Sequence, residues 1–281
     1  MKMSAKEFLT CDKKQITLLG MSGAGKTTLA NKLSPKKWFH YSGDYRIGTQ
    51  YLSEPILDNI KQQAMDTPFL KDLLISDSIY ICNNITVDNL MPISSFMGKI
   101  GSPELGGLSL KTFKKRQLLH REAEIAAMKD VPKFIKKAQD IYGYNHFIND
   151  AGGSVCELND PEILSLLAQH TLIIYIKTSE DQEQLLFERA QQDPKPLYYR
   201  ADFLDENLKA FMDEFHYRCT EQIPPNEFVS WIFPKLFHAR LPRYQAIADQ
   251  YGYTVDASAV AQVKNEDEFI KLIAQTLDHD S

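Results

Sequence analysis

The fold of this chain is decided by residues 15–28, Gln15-Ile16-Thr17-Leu18-Leu19-Gly20-Met21-Ser22-Gly23-Ala24-Gly25-Lys26-Thr27-Thr28. A short apolar run ends at Leu19, a glycine-rich turn follows, and a helical pattern begins near Lys26. Residues 20–27 match the phosphate-binding loop pattern G-x-x-x-x-G-K-[ST] (Walker A) in full, in the strand–loop–helix context that the pattern requires. A glycine-rich turn that binds nothing is the alternative, and the agreement of pattern and context disfavours it. The stretch predicts a nucleoside triphosphate site.

Each part of this loop has an expected role. Glycines let the backbone wrap closely and adopt positive φ, so that successive N–H groups form a nest for an anion beside the positive end of the helix dipole. We expect Lys26 to reach the β- and γ-phosphates, the Thr27 hydroxyl to ligate Mg²⁺, and Thr28 to cap or pack. The predicted nucleotide-binding residues of the loop are Gly20, Ser22, Gly23, Ala24, Gly25, Lys26, Thr27 and Thr28.

Composition and charge exclude several classes of protein. Hydrophobic residues make up 43% of the 281 residues and aromatic residues 11%, enough for a substantial core in one large domain or two small ones. A net charge of −5 gives no electrostatic signal for nucleic acid or an anionic membrane. No run approaches the roughly 20 apolar residues that span a bilayer. The N-terminus lacks an apolar signal core. We expect a cytoplasmic protein and leave a homodimer open.

Cysteine and histidine spacing gives no metal or disulfide signal. The four cysteines are far apart, and neither they nor the seven histidines form a zinc or catalytic-triad pattern. We therefore expect reduced and mostly buried thiols, and histidines that are structural or on the surface. The cysteines are Cys11, Cys82, Cys156 and Cys219.

Apolar runs alternate with helical patterns along the chain. This alternation predicts an α/β fold with a mostly parallel sheet between helical layers. The clearest run, residues 172–176, is nearly continuous in apolar residues and is typical of a buried parallel strand. Strands are predicted at about 15–19, 38–41, 146–150, 172–176 and 253–256.

Two stretches read as insertions into a single domain spanning residues 1–281. They lie at about 50–110, on the substrate or lid side, and at about 200–238. Within the first, residues 82–109 are rich in turn-forming residues, which indicates a long loop of the kind that serves as a lid or binding loop. A helix follows from about 109 to 138. Within the second, three prolines in residues 222–235 predict an irregular segment.

Two aspartates follow predicted strands at the edge of the sheet where the phosphate-binding loop lies. Ligands of open α/β sheets bind beyond the carboxyl ends of the strands. Asp44 is a candidate for accepting a proton from a substrate hydroxyl or for holding a water on Mg²⁺; a polar turn is the alternative. Asp150 has the Walker B position for contacting Mg²⁺. Gly152 and Gly153 would let a substrate approach the backbone, although a simple turn also explains them.

Several cations are candidates for binding anions. Arg46 follows Asp44 closely enough to grip an anionic substrate, and Arg116 and Arg121 are further substrate candidates on a helix whose charges are otherwise typical of a solvated face. Arg189, with Lys195 and Arg200 in the same region, is a candidate for neutralising the transferring phosphoryl group from a lid. Arg243, like Arg240, falls where an arginine on the adenine side of a nucleotide is expected. Arg189, Lys195 and Arg200 follow the predicted fourth strand, whereas Arg240 and Arg243 lie nearer the C-terminus.

With these pieces in place the chain resembles the shikimate kinase and gluconate kinase group of P-loop small-molecule kinases. The resemblance is carried by the phosphate-binding loop, by Ser42-Gly43-Asp44, by Asp150-Ala151-Gly152-Gly153, and by residues 189–197 with the helix 243–249. It implies a five-stranded sheet of order 2-3-1-4-5, a mobile lid after strand four, and transfer of the γ-phosphoryl group of ATP to a hydroxyl with Mg²⁺. It also implies that Asp44 is the substrate-orienting base, and Arg189 or Lys195 the lid cation.

This chain departs from the group in ways that concern the acceptor. Ser42 stands where the group has the first aspartate of D-x-D, and Ala151 replaces the first glycine of its three-glycine turn. The insertions are also larger than in the compact members. The substrate of neither kinase can therefore be carried over, and the insertions favour a larger acceptor, a macromolecule among them, or a partner surface.

The leading hypothesis is a phosphotransferase that uses ATP and Mg²⁺ and acts on an unidentified hydroxyl- or phosphate-bearing acceptor. An ATPase or GTPase that couples hydrolysis to a conformational change is the second hypothesis, and the absence of N-K-x-D from the sequence argues against the GTPase. A module that binds nucleotide without turnover is the third. It is disfavoured because Lys26, Thr27, Asp44 and Asp150 are all present.

Overall fold

A computed structural model describes residues 2–279 of the chain, and the side chains up to Asp278. Within these residues, five strands form one sheet in the order β2-β3-β1-β4-β5. Each strand is parallel to its neighbours. The predicted α/β fold and the strand order 2-3-1-4-5 are therefore confirmed. The strands are β1 (Gln15–Leu19), β2 (Trp38–Ser42), β3 (His146–Asp150), β4 (Leu172–Lys177) and β5 (Gly252–Asp256).

The strand β1 lies at the centre of the sheet because its residues can be buried on both faces. Ile16, Leu18 and Leu19 are fully buried, as is usual for a parallel strand covered by helices. Thr17 is also buried, and its hydroxyl oxygen lies 2.8 Å from that of Thr171. Since buried polar groups need a partner, this contact lets a polar residue occupy the central strand. The phosphate-binding loop thus starts from a rigid position.

Helices cover both faces of the sheet and fill the two insertions. Those up to residue 140 are α1 (Ala5–Thr10), α2 (Lys26–Ala30), α3 (Gly43–Arg46), α4 (Ser53–Met65), α5 (Pro68–Ile75), α6 (Met91–Met97), α7 (Leu110–Lys129) and α8 (Val131–Asp140). Those after residue 150 are α9 (Pro161–His170), α10 (Glu180–Gln192), α11 (Ala201–Glu214), α12 (Pro225–Tyr251), α13 (Ala257–Gln262) and α14 (Glu266–His279). No helix within residues 2–279 is long and apolar enough to cross a membrane.

The predicted helix from 109 to 138 is wrong in one respect, because it is two helices. The helix α7 ends at Lys129 and α8 starts at Val131, with Pro132 in its first turn. A proline removes one backbone donor and clashes with the preceding turn, so it is tolerated at a helix start and breaks a helix interior. The predicted loop at 82–109 likewise contains α6 and a short 3₁₀ turn at Pro103–Leu105.

The expectation that residues 222–235 are irregular is also wrong. The helix α12 begins at Pro225 and continues to Tyr251, with Pro234 and Pro242 inside it. A proline at the first helical position loses no hydrogen bond. Phe228, Ile232 and Leu236 are fully buried at helical spacing, so packing outweighs the cost of the internal prolines.

The second insertion contributes to a hydrophobic cluster that is separate from the main core. In this cluster, α11 and the first half of α12 pack against the segment around Ile100 and Phe113. The second half of α12 packs in the main core through Phe237 and Tyr244. One continuous helix therefore links the insertion to the sheet.

Candidate active site

The phosphate-binding loop connects the carboxyl end of β1 to α2. Gly23 and Gly25 have φ angles of 85° and 95°, a region that side chains other than glycine rarely adopt. Gly25 is the N-terminal cap of α2 and provides no side-chain hydrogen bond to the helix. The first N–H groups of this helix are therefore available to an anion, as in other helix N-termini that bind phosphate.

The side chain of Lys26 is bonded to the backbone of the phosphate-binding loop. Its Nζ donates hydrogen bonds to the carbonyl oxygens of Gly20, at 2.9 Å, and Met21, at 3.0 Å. Burial lowers the pKa of Lys26, while the negative charges of Asp150, Asp44 and Glu124 oppose that change. The ammonium group thus lies where the loop would receive phosphate, surrounded by carboxylates that favour its charged form.

Thr27 and Asp150 form the second contact of the loop. The Thr27 hydroxyl donates a hydrogen bond to Asp150 Oδ2 at 2.5 Å. Asp150 is the last residue of β3 and pairs in register with Leu18 of the neighbouring β1, which brings the ends of the two strands together. Hydroxyl and carboxylate oxygens are ligands that Mg²⁺ accepts, usually alongside waters and substrate phosphates.

These two residues fit a nucleotide-bound Mg²⁺ and not a metal held by protein alone. In the described part of the chain, no group of three or more His, Cys, Asp and Glu side chains is placed to hold a metal ion. Thr27 and Asp150 supply two oxygens. Because Mg²⁺ needs six ligands and commonly keeps waters and phosphates among them, two protein ligands beside a phosphate-binding loop are sufficient.

Asp44 lies in α3, directly after β2. The Ser42 hydroxyl caps this helix by accepting a hydrogen bond from the Tyr45 N–H at 3.3 Å. Burial raises the pKa of Asp44 to about 6; the negative charge of Asp150 acts in the same direction, and Lys26 opposes it. A carboxylate with a pKa near neutrality matches what general-base catalysis requires.

A cavity of about 140 Å³ joins Asp44 to the phosphate-binding loop. Ser22 of the loop, Asp44, His120 and Arg240 form its polar wall, and Ile93 and Met97 of α6 contribute to its apolar wall. The first insertion thus lines this cavity through α6. The segment 196–198, which precedes the second insertion, also lines it.

Arg240 is almost fully buried beside this cavity. Its Nη1 donates to the Gly153 carbonyl at 2.9 Å, its Nη2 to the Tyr198 carbonyl at 2.7 Å, and its Nε to Glu157 at 3.3 Å. Glu157 also accepts a hydrogen bond from Arg200 at 2.5 Å, so two arginines share one carboxylate. A guanidinium has five N–H donors, and among the described residues these bonds leave one donor on each Nη.

Gly152 and Gly153 bring parts of the site into close contact. A Cβ on Gly152 would lie 2.4 Å from Glu124 Oε1 and 3.0 Å from Asp44 Oδ1. A Cβ on Gly153 would lie 2.5 Å from Ser22 Oγ. The two glycines therefore leave room for the phosphate-binding loop and for two carboxylates.

The structure does not bring Arg46, Arg116 or Arg121 to this cavity. Arg46 donates to Asp130 Oδ2 at 2.8 and 2.7 Å. Arg116 bonds the Phe96 carbonyl and Asn59. Arg121 donates to the Leu158 carbonyl at 2.7 Å and lines a separate cavity of about 400 Å³.

The predicted lid cations Arg189 and Lys195, and the predicted adenine-side Arg243, do not line the Asp44 cavity. Arg189 and Lys195 are exposed and line a cavity of about 400 Å³ that also includes Ser22 and Gly23. They are therefore next to the loop but outside the Asp44 cavity. Arg243 donates to Asn159 at 3.0 Å.

Sequence reasoning missed the roles of Glu124 and His120 and misplaced Arg240. Burial raises the pKa of Glu124 to about 7. Burial, with the charge of Arg240, lowers the pKa of His120 to about 4. A signal was present: both residues lie on the helical stripe of α7 that carries the buried Phe113 and Ala127, and polar residues on an apolar stripe need a partner.

Comparison with solved structures finds matches to shikimate kinases. The shikimate kinase of Bacteroides thetaiotaomicron is 15% identical, with a TM-score of 0.40 over 95% of this chain and 97% of that chain. The shikimate kinase of Acinetobacter baumannii, in complex with shikimate, is 13% identical, with a TM-score of 0.40 over 99% of this chain and 98% of that chain. No protein-family model and no curated protein matches the chain.

Proposed function

We propose that this chain is a phosphotransferase that uses ATP and Mg²⁺ and transfers the γ-phosphoryl group to a hydroxyl of a small acceptor. One observation carries the proposal: Ser22 of the phosphate-binding loop and Asp44 line the same cavity. A loop that holds a triphosphate and a carboxylate suited to accept a proton therefore face one space. An enzyme that only hydrolyses or only binds nucleotide has no need of an acceptor pocket beside the loop.

On the donor side, the backbone N–H groups of the loop and Lys26 hold the phosphates. Lys26 exchanges its bonds to the Gly20 and Met21 carbonyls for bonds to phosphate oxygens, which are stronger because both partners are charged. Thr27 and Asp150 hold Mg²⁺. When bound, Mg·ATP supplies the phosphoryl group and the metal offsets the charge that develops on it.

On the acceptor side, Asp44 orients the hydroxyl and takes its proton as the oxygen attacks. General-base catalysis of this kind contributes roughly 10²–10⁴-fold. Arg240 provides its remaining donors for a polar or anionic group of the acceptor. Ile93 and Met97 of α6 give the cavity an apolar wall for the carbon skeleton of the acceptor.

The size of the cavity favours a small acceptor. Its volume of about 140 Å³ is below the ~300–1,000 Å³ of pockets that bind drug-sized ligands. The insertions by themselves suggested a larger acceptor, but the first of them supplies part of the wall of this pocket through α6. The segment 196–198, ahead of the second insertion, supplies another part. We therefore favour a compact hydroxyl compound over a macromolecule.

The test follows the fate of the γ-phosphate. The chain is incubated with Mg²⁺, [γ-³²P]ATP and a panel of small polyols, sugars and hydroxy acids, and labelled organic phosphate is separated from inorganic phosphate. The proposal expects label on an organic product with the wild-type chain and none with Lys26→Ala. Lys36→Ala, at an exposed lysine after α2, is the matched control. Label found only as inorganic phosphate across the panel favours the ATPase instead.

A further inference from the structure

Glu124 is a buried carboxyl that the mechanism above does not use. It lies on the inner face of α7 with 0% of its surface exposed. Its Oε2 accepts a hydrogen bond from the Ser154 hydroxyl at 2.6 Å. Its Oε1 is buried and has no hydrogen-bond partner within residues 2–279. Burying a polar atom without a partner is unfavourable, and nearly all buried polar atoms in folded proteins are paired.

The unpartnered oxygen points to the space above Gly152. A Cβ at that glycine would meet Glu124 Oε1 at 2.4 Å and Asp44 Oδ1 at 3.0 Å. The two carboxyl groups therefore converge on the same side of one backbone position, from α7 and from α3. Two buried carboxylates that face one backbone position repel each other, and such pairs usually retain one proton.

The groups around Glu124 determine which of its oxygens can carry that proton. Oε2 already accepts from Ser154, so Oε1 is the oxygen free to carry a hydrogen. Lys26 of α2 and Arg240 of α12 favour the ionised form, while burial and the charge of Asp44 favour the protonated form, and burial is the largest effect. His120, on the same helix, lies with its Nδ1 4.0 Å from Glu124 Oε2, and burial together with Arg240 favours its neutral form.

We propose that Glu124 is a positioning residue for the phosphoryl transfer: protonated on Oε1, it donates a hydrogen bond to Asp44 and holds that carboxylate toward the acceptor hydroxyl. This inference rests on the proposed phosphotransferase activity. Glu124 does not line the acceptor cavity, whereas its two neighbours Asp44 and Ser154 do. It therefore acts through Asp44 and not on the substrate.

The proton balance of the step is simple. Before transfer, Glu124 is neutral and Asp44 is ionised. As the acceptor oxygen bonds to the γ-phosphorus, its proton passes to Asp44, and the bond from the γ-phosphorus to the leaving oxygen of ADP breaks with its electron pair on that oxygen. Asp44 then releases its proton to the cavity when product leaves. Glu124 keeps its own proton throughout.

The test compares pH profiles of kcat for the wild-type chain and the variants Glu124→Gln and Glu124→Ala. A glutamine amide reproduces the donor permanently, so the wild-type decline of kcat as Glu124 ionises near pH 7 is expected to be absent from Glu124→Gln. Alanine removes the donor, and kcat is expected to fall about tenfold or more below pH 7, where Glu124 of the wild-type chain is protonated. Glu122→Gln, at an exposed position of the same helix, is the matched control and is expected to follow the wild type.

Two results overturn the inference. One is a Glu124→Gln profile that keeps the wild-type decline above pH 7. The other is equal loss of kcat in the glutamine and alanine variants, which indicates a structural role only. A readout without turnover separates this inference from the proposed function. If no acceptor is phosphorylated, Tm of the nucleotide-free chain is measured from pH 5.5 to 8 for Glu124→Gln, Asp44→Asn and the double variant. Non-additive shifts support the pairing, and additive shifts overturn it.

Discussion

The hydroxyl of Thr27 donates a hydrogen bond to Asp150 Oδ2 at 2.5 Å, which ties the first turn of α2 to the end of β3. The two residues are 123 positions apart in the sequence. Each is an oxygen donor that Mg²⁺ accepts. Their contact links the phosphate-binding loop to the sheet, and it would place a bound Mg²⁺ beside that loop.

Asp150→Asn is expected to weaken binding of ATP in the presence of Mg²⁺ about tenfold or more, because an amide oxygen is a poorer ligand than a carboxylate and carries no charge. Binding without Mg²⁺ is expected to change little. Isothermal titration with and without Mg²⁺ measures both affinities. Asp160→Asn, which affects the cap of α9, serves as a control remote from the loop. Equal weakening with and without the metal would contradict a role for Asp150 toward Mg²⁺.

Gly153→Ala is expected to lower the free energy of unfolding by about 1–3 kcal/mol, the usual range for overpacking, and to weaken nucleotide binding. The added methyl would lie 2.5 Å from Ser22 Oγ and 2.8 Å from the Ser22 nitrogen, so the phosphate-binding loop has to move. Urea denaturation and ATP titration measure the two effects. At Gly106 a Cβ meets nothing within 4 Å, though the backbone has a φ of 77°. Gly106→Ala therefore reports backbone strain alone and is expected to leave ATP affinity unchanged.

Gln117→Ala is expected to destabilise the chain by about 2 kcal/mol and to raise KM for the acceptor. The buried Gln117 side chain donates to the Leu197 carbonyl at 3.1 Å and accepts from the Tyr199 N–H at 2.8 Å. It thereby fixes the backbone on either side of Tyr198 in the sequence, and Tyr198 lines the acceptor cavity. Loss of both bonds leaves two backbone groups without partners. Gln184→Ala, at an exposed position of α10, is expected to change neither quantity, and an unchanged KM in Gln117→Ala would count against the segment as a wall of the site.

The stability of the chain is expected to depend on pH through Glu124. Its pKa is raised from 4.5 to about 7 in the folded chain, so the folded state binds the proton more tightly than the unfolded state. That contribution is complete below about pH 4.5 and is lost as the pH rises to about 7. At 1.36 kcal/mol per pKa unit, the free energy of unfolding of the wild-type chain falls by up to about 3 kcal/mol more over this window than that of Glu124→Gln.

The comparison with Glu124→Gln is needed because other groups titrate in the same window. Asp44, whose pKa is raised to about 6, contributes with the same sign. His120, whose pKa is lowered to about 4, contributes with the opposite sign. Chemical denaturation at pH 5 and pH 8 gives the difference between the two chains. Parallel pH dependences would show that Glu124 titrates normally.

The sequence was sufficient for those parts of the site that lie in short contiguous segments. The phosphate-binding loop is one such segment. Asp44 and Asp150 were found because the ends of parallel strands meet at one edge of a sheet, and the register of β2 with β3 does place Ser42 opposite Asp150. The cavity that Asp44 shares with Ser22 agrees with that expectation of proximity.

The parts that the sequence did not reveal depend on contacts between distant segments. The helix α12 forms across residues with three prolines because the apolar face of its first half is buried against α11 and the segment around Ile100 and Phe113, and such packing overrides local propensity. Arg240 lies at the acceptor cavity because α12 is continuous across that region. That Glu124 and Asp44 both face the space beside Gly152 depends on how α7 packs against α3, which no spacing pattern encodes.

The most direct test of the account is a single-turnover measurement with Asp44→Asn. With Mg²⁺, [γ-³²P]ATP and an acceptor that the wild-type chain phosphorylates, the account predicts ATP affinity within about threefold of wild type and a rate of transfer lowered by about 10²–10⁴-fold. Asp66→Asn, at an exposed aspartate after α4, is predicted to match the wild type in both. Transfer at the wild-type rate by Asp44→Asn would contradict the claim that the phosphate-binding loop and Asp44 act on one acceptor in the cavity they share.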